Sequence, residues 1–258
     1  MKRFCTFILF VSFILTIPSI AKRFTFGFRP AKMRVEFPSN PEWETPLTED
    51  VLTILKQPYH FIGKGAQSYV FESFDKNYVI KLFRYDQPNS SDKIALLFNA
   101  CKIAFDSLAD ETGLVFIHLN ETPIGLPTLY CKDAVGRKYK FRLDRVRFAL
   151  QKKAKDFKGA LVEAKEDRAL MKKRIDQLVD LLDARTKKGV RNSDPSLSRN
   201  FGFLDDRAIE FDFGNYRLSD DFDRLHEIQR YTSKLRVWLR QNAPEWVSYL
   251  DERVEALQ

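Results

Sequence analysis

The stretch from Asn200 to Asn215 constrains this chain more than any other: Asn-Phe-Gly-Phe-Leu-Asp-Asp-Arg-Ala-Ile-Glu-Phe-Asp-Phe-Gly-Asn. Phe201 and Phe203, then Ala208 and Glu210, alternate about a turn at Asp205-Asp206-Arg207, as the faces of two short strands do. A polar Asn200 opens the first strand, and Asp212-Phe213-Gly214 closes the second. A hairpin brings two oxygen-bearing side chains to the same end, the geometry that a hard cation needs. Read alone, Asp212 and Gly214 would only close a surface turn, so the meaning of the hairpin depends on the chain before it.

Upstream, Gly63-Lys64-Gly65-Ala66-Gln67-Ser68 follows the apolar pair Phe61-Ile62. A dinucleotide-binding fold would place a helix after the glycines. Here the next residues are Tyr69, Val70, Phe71 and Phe74, a turn at Asp75-Lys76-Asn77, and Tyr78-Val79-Ile80-Lys81-Leu82-Phe83. Aromatic and β-branched residues flanking a turn predict strands. Lys81 has apolar neighbours on both sides, and a lysine on a buried strand calls for a partner.

Ile94, Leu97, Phe98, Cys101, Ala104, Phe105 and Leu108 recur at the spacing of one buried helix face over residues 92–112. Gly113 to Leu119 either extends that helix or forms a strand. Leu126–Lys132 and Lys138–Leu143 predict a hairpin about Gly136. Residues 148–188 read as charged helix, with Gly159 a candidate break. Earlier, Thr48 is the expected N-cap of a short helix ended by Pro58. Ser219 is the expected cap of a late amphipathic helix, which Pro244 breaks.

Four motifs in this order resemble those of the protein-kinase-like superfamily: the glycine loop, Val79-Ile80-Lys81, Asp194 with Asn200, and Asp212-Phe213-Gly214. The resemblance covers about residues 59 to 240. It implies an α+β, two-lobed protein-kinase-like fold: a small antiparallel β lobe with one helix over 59–146, and a compact, mainly helical lobe with the metal-binding hairpin over 147–258. It also implies ATP and Mg2+ as cofactors. Gly63, Gly65 and Ser68 would cradle phosphates, and Lys81, held by Glu111 or alternatively Asp106, would position them. Asn200 and Asp212 would bind the metal, and Asp194 would orient an acceptor hydroxyl.

The chain also departs from that pattern. Ser68 stands where a glycine is usual, and Asn192-Ser193 replace His-Arg. Ser196 takes the place of a catalytic-loop lysine, with Arg199 its candidate substitute, and Asn200 comes one residue late. These departures argue against an ordinary peptide kinase. They leave an ATP/Mg-dependent atypical phosphotransferase of unknown acceptor or, alternatively, a pseudokinase-like interaction module that is exported or membrane-associated.

Residues 1–21 read as a signal peptide or membrane anchor: Lys2-Arg3, an apolar run from Phe4 to Ile17, then small residues to Ala21. Residues 22–58 read as a linker with a short helix. Lys22, Arg23, Arg29, Lys32 and Arg34 after the apolar run count against simple export. The net charge of +8 suits anionic partners such as nucleotides or acidic lipid. Without a repeated nucleic-acid motif, nucleic acid is not the expected partner; a basic binding face on 148–188 is the weaker alternative. Cys101 and Cys131 are expected as buried free thiols.

Overall fold

The computed structural model describes residues 25–85, 91–219 and 221–257. The leader expected over residues 1–21 lies outside them. The helices in chain order are α1 (Glu49–Leu55), α2 (Ser91–Thr112), α3 (Phe157–Ala164), α4 (Arg168–Lys187), α5 (Leu197–Asn200), α6 (Arg224–Asn242) and α7 (Val247–Glu255). The first strands are β1 (Pro58–Lys64), β2 (Ser68–Ser73), β3 (Tyr78–Phe83), β4 (Leu114–His118), β5 (Thr128–Lys132) and β6 (Lys138–Arg142). The remainder are β7 (Phe148–Lys152), β8 (Lys155–Asp156), β9 (Val190–Asn192), β10 (Phe201–Phe203), β11 (Ala208–Glu210) and β12 (Tyr216–Leu218). No helix among the described residues is long and apolar enough to cross a membrane.

Two compact units interleave along the chain. The first takes Met1–Asn40, Pro46–Pro88 and His118–Phe148; the second takes Pro41–Thr45, Asn89–Ile117 and Ala149–Gln258. Helix α2, expected with the β lobe, falls in the second unit.

In the first unit the strand order is β3-β2-β1-β5-β6. The pairs β1/β2, β2/β3 and β5/β6 are antiparallel, as expected, but β1 and β5 are parallel. The sheet is therefore mixed rather than purely antiparallel. Alternation in the sequence shows a hairpin but not the edge it joins or its direction. Thr48 caps α1 as expected, its hydroxyl accepting from the Val51 amide. Asp75 locks the β2–β3 turn by exchanging hydrogen bonds with Gln57.

The segment read as a linker is part of this unit. Phe28 is buried and packs edge-on against Tyr69, Phe71 and Tyr139, with Phe61 beside it. Arg147, only 3% exposed, donates to the carbonyls of Val35, Phe37 and Leu119 and to the Glu121 carboxylate. Its guanidinium is thus the anchor for the amino-terminal arm. Arg147→Ala should leave the buried Leu119 carbonyl and the half-buried Val35 and Phe37 carbonyls short of a donor and lower unfolding stability by about 3 kcal/mol, read from urea denaturation.

The second unit is mainly helical. Phe157, Leu161, Met171, Ile175, Leu178, Leu182, Ile228, Tyr231, Leu235 and Leu250 are among its core residues. Residues 148–152 are a strand, not the start of a helical region: Phe148, Ala149, Leu150 and Gln151 are all buried, so no helix-period pattern is visible there. β7 pairs with β4, which settles 114–118 as strand. The helical break falls after Ala164 and not at Gly159, whose amide instead donates to the cap residue Asp156. Helix α6 is capped by Asp223, which accepts from the His226 amide, rather than by Ser219.

Both described cysteines are free and buried. Burial, with Asp133 nearby, pushes the Cys131 thiol up to about 12. Iodoacetamide at pH 8 should label neither Cys101 nor Cys131 in the native protein, and both once urea unfolds it, as peptide mass mapping would read.

Candidate phosphate- and metal-binding residues

In the first unit, strand register brings the glycine loop and Lys81 together. Gly63 pairs with Val70, and Val70 pairs with Lys81, so the three form one cross-strand row. A register shift between Phe61 and Gly63 sets the loop off from the strand. Phe61 and Phe71 also pair and pack their rings together. By alternation they turn to the opposite face from Val70 and Lys81.

The loop closes when the Gly65 amide donates to the Ser68 carbonyl at 2.9 Å. Arg84 Nη1 donates to the Gly65 carbonyl at 3.1 Å. A Cβ at Gly63 would meet nothing within 4 Å, and one at Gly65 would meet only Ser68 Oγ at 3.9 Å. No neighbouring protein atom therefore demands glycine at either position, and the space beside their backbone is open to a ligand. Ser68 is buried and Lys81 half-buried.

In the second unit, Asn200 ties the other polar candidates into one knot. Its Nδ2 donates to the Asp194 carbonyl at 3.1 Å. Its own carbonyl accepts the amides of Phe211 at 2.8 Å and Asp212 at 3.4 Å. Asp194 is further fixed by its amide on Asn192 Oδ1 at 3.0 Å and by Tyr231 Oη on its carbonyl at 3.1 Å. One oxygen of its carboxylate accepts the Ser196 amide at 3.1 Å.

The hairpin explains the placement. β10 and β11 pair with Phe201 opposite Glu210 and Phe203 opposite Ala208, and both faces are buried. β10 also pairs with β8, and a Cβ at Gly202 would lie 2.5 Å from the Lys155 carbonyl oxygen. Close backbone approach there requires glycine.

The carboxylate expected to hold Lys81 is engaged elsewhere. Glu111 accepts from Lys188 at 2.7 Å, and Lys188 also donates to the Ser107 carbonyl. The alternative, Asp106, pairs with Lys102 one helical turn away.

A buried ionic cluster beside Asn192 was not among the sequence candidates. Arg185 is 0% exposed; it donates to Glu210 at 2.5 Å and to Glu227 at 3.1 Å. Tyr216 and Asn192 also donate to Glu210, at 2.8 and 2.6 Å. Burial works against the Arg185 charge, but Glu210 outweighs it and holds the guanidinium above its ordinary range. Burial pushes the Glu210 carboxyl upward, and three donors on its two oxygens oppose that shift. The available signal was Glu210 itself, an acid on the buried face of a strand.

Among the described residues no group of three or more His, Cys, Asp or Glu is placed to hold a metal. Magnesium does not need one: it keeps several waters and takes one or two carboxylates plus phosphate oxygens. Asp212 is exposed, and its carboxylate has no protein partner among the described residues. The Asn200 amide nitrogen is spent on Asp194, and its Oδ1 accepts no hydrogen bond among the described residues. This donor set fits a hard cation.

Arg185→Leu should destabilise the protein by about 3–5 kcal/mol, because it leaves buried Glu210 without a cation and Glu227 with Arg230 alone. Adding Glu210→Leu should recover part of that loss, and a double-mutant cycle in urea would measure it.

No protein-family model matches the chain, and no curated protein matches it. Among solved structures it is similar to the bifunctional kinase-methyltransferase WbdD, at 16% identity and a TM-score of 0.41, covering 73% of this chain and 43% of that one. It is also similar to the ROP18 kinase domain in complex with AMP-PNP and sucrose, at 16% identity and a TM-score of 0.38, covering 63% and 52%. A second WbdD structure, with the kinase inhibitor LY294002, gives 17% identity and a TM-score of 0.36, covering 69% and 36%. The chain thus spans from about a third to about half of these longer chains. Within each unit the elements follow the order that the kinase-like resemblance implies: strand, glycine loop, two strands and a turn in one, then loop, hairpin and Asp-Phe-Gly in the other.

Proposed function

We propose that the protein is an ATP- and magnesium-dependent phosphotransferase of the atypical kinase-like type. The observation that carries this reading is the Asn200 knot, which fixes Asp194 and Asp212 through one residue while leaving oxygen atoms for a cation. In this reading Asn200 and Asp212 hold magnesium, which would supply charge neutralisation on the phosphates. The open backbone at Gly63 and Gly65 accepts the phosphates, and the ammonium of Lys81, in the same cross-strand row, orients them. Asp194 has one carboxylate oxygen committed to the Ser196 amide, and the other can accept the proton of an acceptor hydroxyl. Rate enhancement would come from positioning and electrostatics.

The Glu111–Lys188 ion pair favours a second reading, in which nucleotide is bound but not turned over. Two measurements separate the readings. Mg-ATP at about 100 times its dissociation constant should stabilise the wild type by about 2.7 kcal/mol in a thermal-shift series, and Lys81→Ala should abolish that gain. ATP turnover should then fall at least 100-fold in Asp212→Ala. Equal turnover in wild type and Asp212→Ala would reject the phosphotransferase. A Lys81-dependent shift with no turnover would establish the nucleotide-binding module.

A further inference from the structure

Away from the residues discussed above, the first unit carries a surface pocket of about 340 Å³ along β1, β5 and β6. Its character comes from Phe74, Tyr130, Lys132, Lys138, Lys140 and His60. The register puts five of these on one face of the sheet. Tyr130 lies opposite Lys140, Lys132 lies opposite Lys138, and His60 pairs with Lys132 across the parallel junction. Tyr130 is 50% exposed and Phe74 77% exposed, although large aromatic side chains ordinarily seek burial. The Lys140 ammonium sits 5.3 Å from the Tyr130 ring centroid. Lys132 and Lys138 are exposed and have no acidic partner among the described residues. The acid nearest in register, Glu72, is engaged by His60 at 2.7 Å.

We infer that this face binds a nucleotide unit, its base stacked on Tyr130 and its phosphate held by Lys132, Lys138 and Lys140, presented free or within a single strand. Charge complementarity alone would admit any polyanion. The exposed rings set beside the lysines narrow the choice, because a base offers a π-face and a phosphate in one residue. The pocket is concave and at the small end of ligand-site volumes, which suits one ring better than a flat lipid surface. The inference does not depend on the phosphotransferase reading, since it uses none of the residues assigned there. The sequence pattern concealed the site because it spreads over three strands, one of them joined in an unexpected direction.

Fluorescence anisotropy of the full chain with a labelled ten-nucleotide oligothymidylate is the test, with thymidine monophosphate, polyglutamate and anionic phosphatidylserine vesicles as parallel arms. Tyr130→Ala should weaken the oligonucleotide about tenfold or more. Lys132→Gln with Lys140→Gln should reduce the slope of log affinity against log salt by about 1.4. These side chains are exposed, and unchanged circular-dichroism melting would confirm that the variants fold. Tyr130-dependent binding of the monophosphate alone would assign the site to free nucleotide, and Tyr130-dependent binding of the oligonucleotide would assign it to single strands. Absence of Tyr130-dependent binding in both arms overturns the inference, as does equal binding of polyglutamate or vesicles at matched charge.

Discussion

The second unit is built around a guanidinium that has no access to water. Arg185 lies between Glu210 and Glu227, with Tyr231 against its face at 4.5 Å. Arg230 balances the second carboxylate at 2.9 Å. Removing such charges from water is expensive, and the expense is met only when geometry and hydrogen bonding are nearly complete. Here both carboxylates are paired, although Arg185 Nε finds no acceptor, and the geometry extends outward. Glu210 accepts from Asn192, Asn192 Oδ1 receives the Asp194 amide, and the Asn192 carbonyl takes donors from Arg230 and Tyr231. Helix α4, the hairpin, helix α6 and the loop that carries Asp194 are thereby held in one register.

That arrangement accounts for how so short a loop is positioned. Between β9 and α5 the chain has only a few residues and little apolar surface of its own. Its backbone is fixed by polar contacts from both sides: Tyr231 and Asn192 on one, Asn200 on the other. Because Asn200 also accepts the amides of Phe211 and Asp212, the end of the hairpin and the loop move as one piece. In the proposed activity, a loop tethered this way would hold its oxygen atoms in place for a cation.

Much of this was legible before any coordinates. Alternation about Asp205-Asp206-Arg207 predicted the hairpin because β10 and β11 are short and their turn is polar. Tyr69, Val70 and Phe71 predicted a strand after the glycines because aromatic and β-branched residues flank the turn that follows. Four things were hidden, each for a physical cause. Strand β7 is buried on both faces, so it lacks the period that separates strand from helix. The β5–β6 hairpin joins β1 in parallel, and local pattern says nothing about partner or direction. The partner of Glu111 is Lys188, far along the chain, and helical spacing cannot name a tertiary contact. Arg185 escaped notice among many other basic residues on a helix whose exposed positions look much the same in sequence.

The two units contribute different chemistry to the proposed activity: backbone openness and an ammonium from one, oxygen ligands and an acceptor carboxylate from the other. The central claim is that the chain binds Mg-ATP through the residues named in each. Hydrogen–deuterium exchange with and without Mg-ATP tests it directly. The account predicts slowed amide exchange both in peptides covering residues 61–83 and in peptides covering residues 192–214, with the second effect lost when magnesium is chelated. Protection confined to one of these segments, or protection of residues 192–214 that ignores the metal, would contradict it.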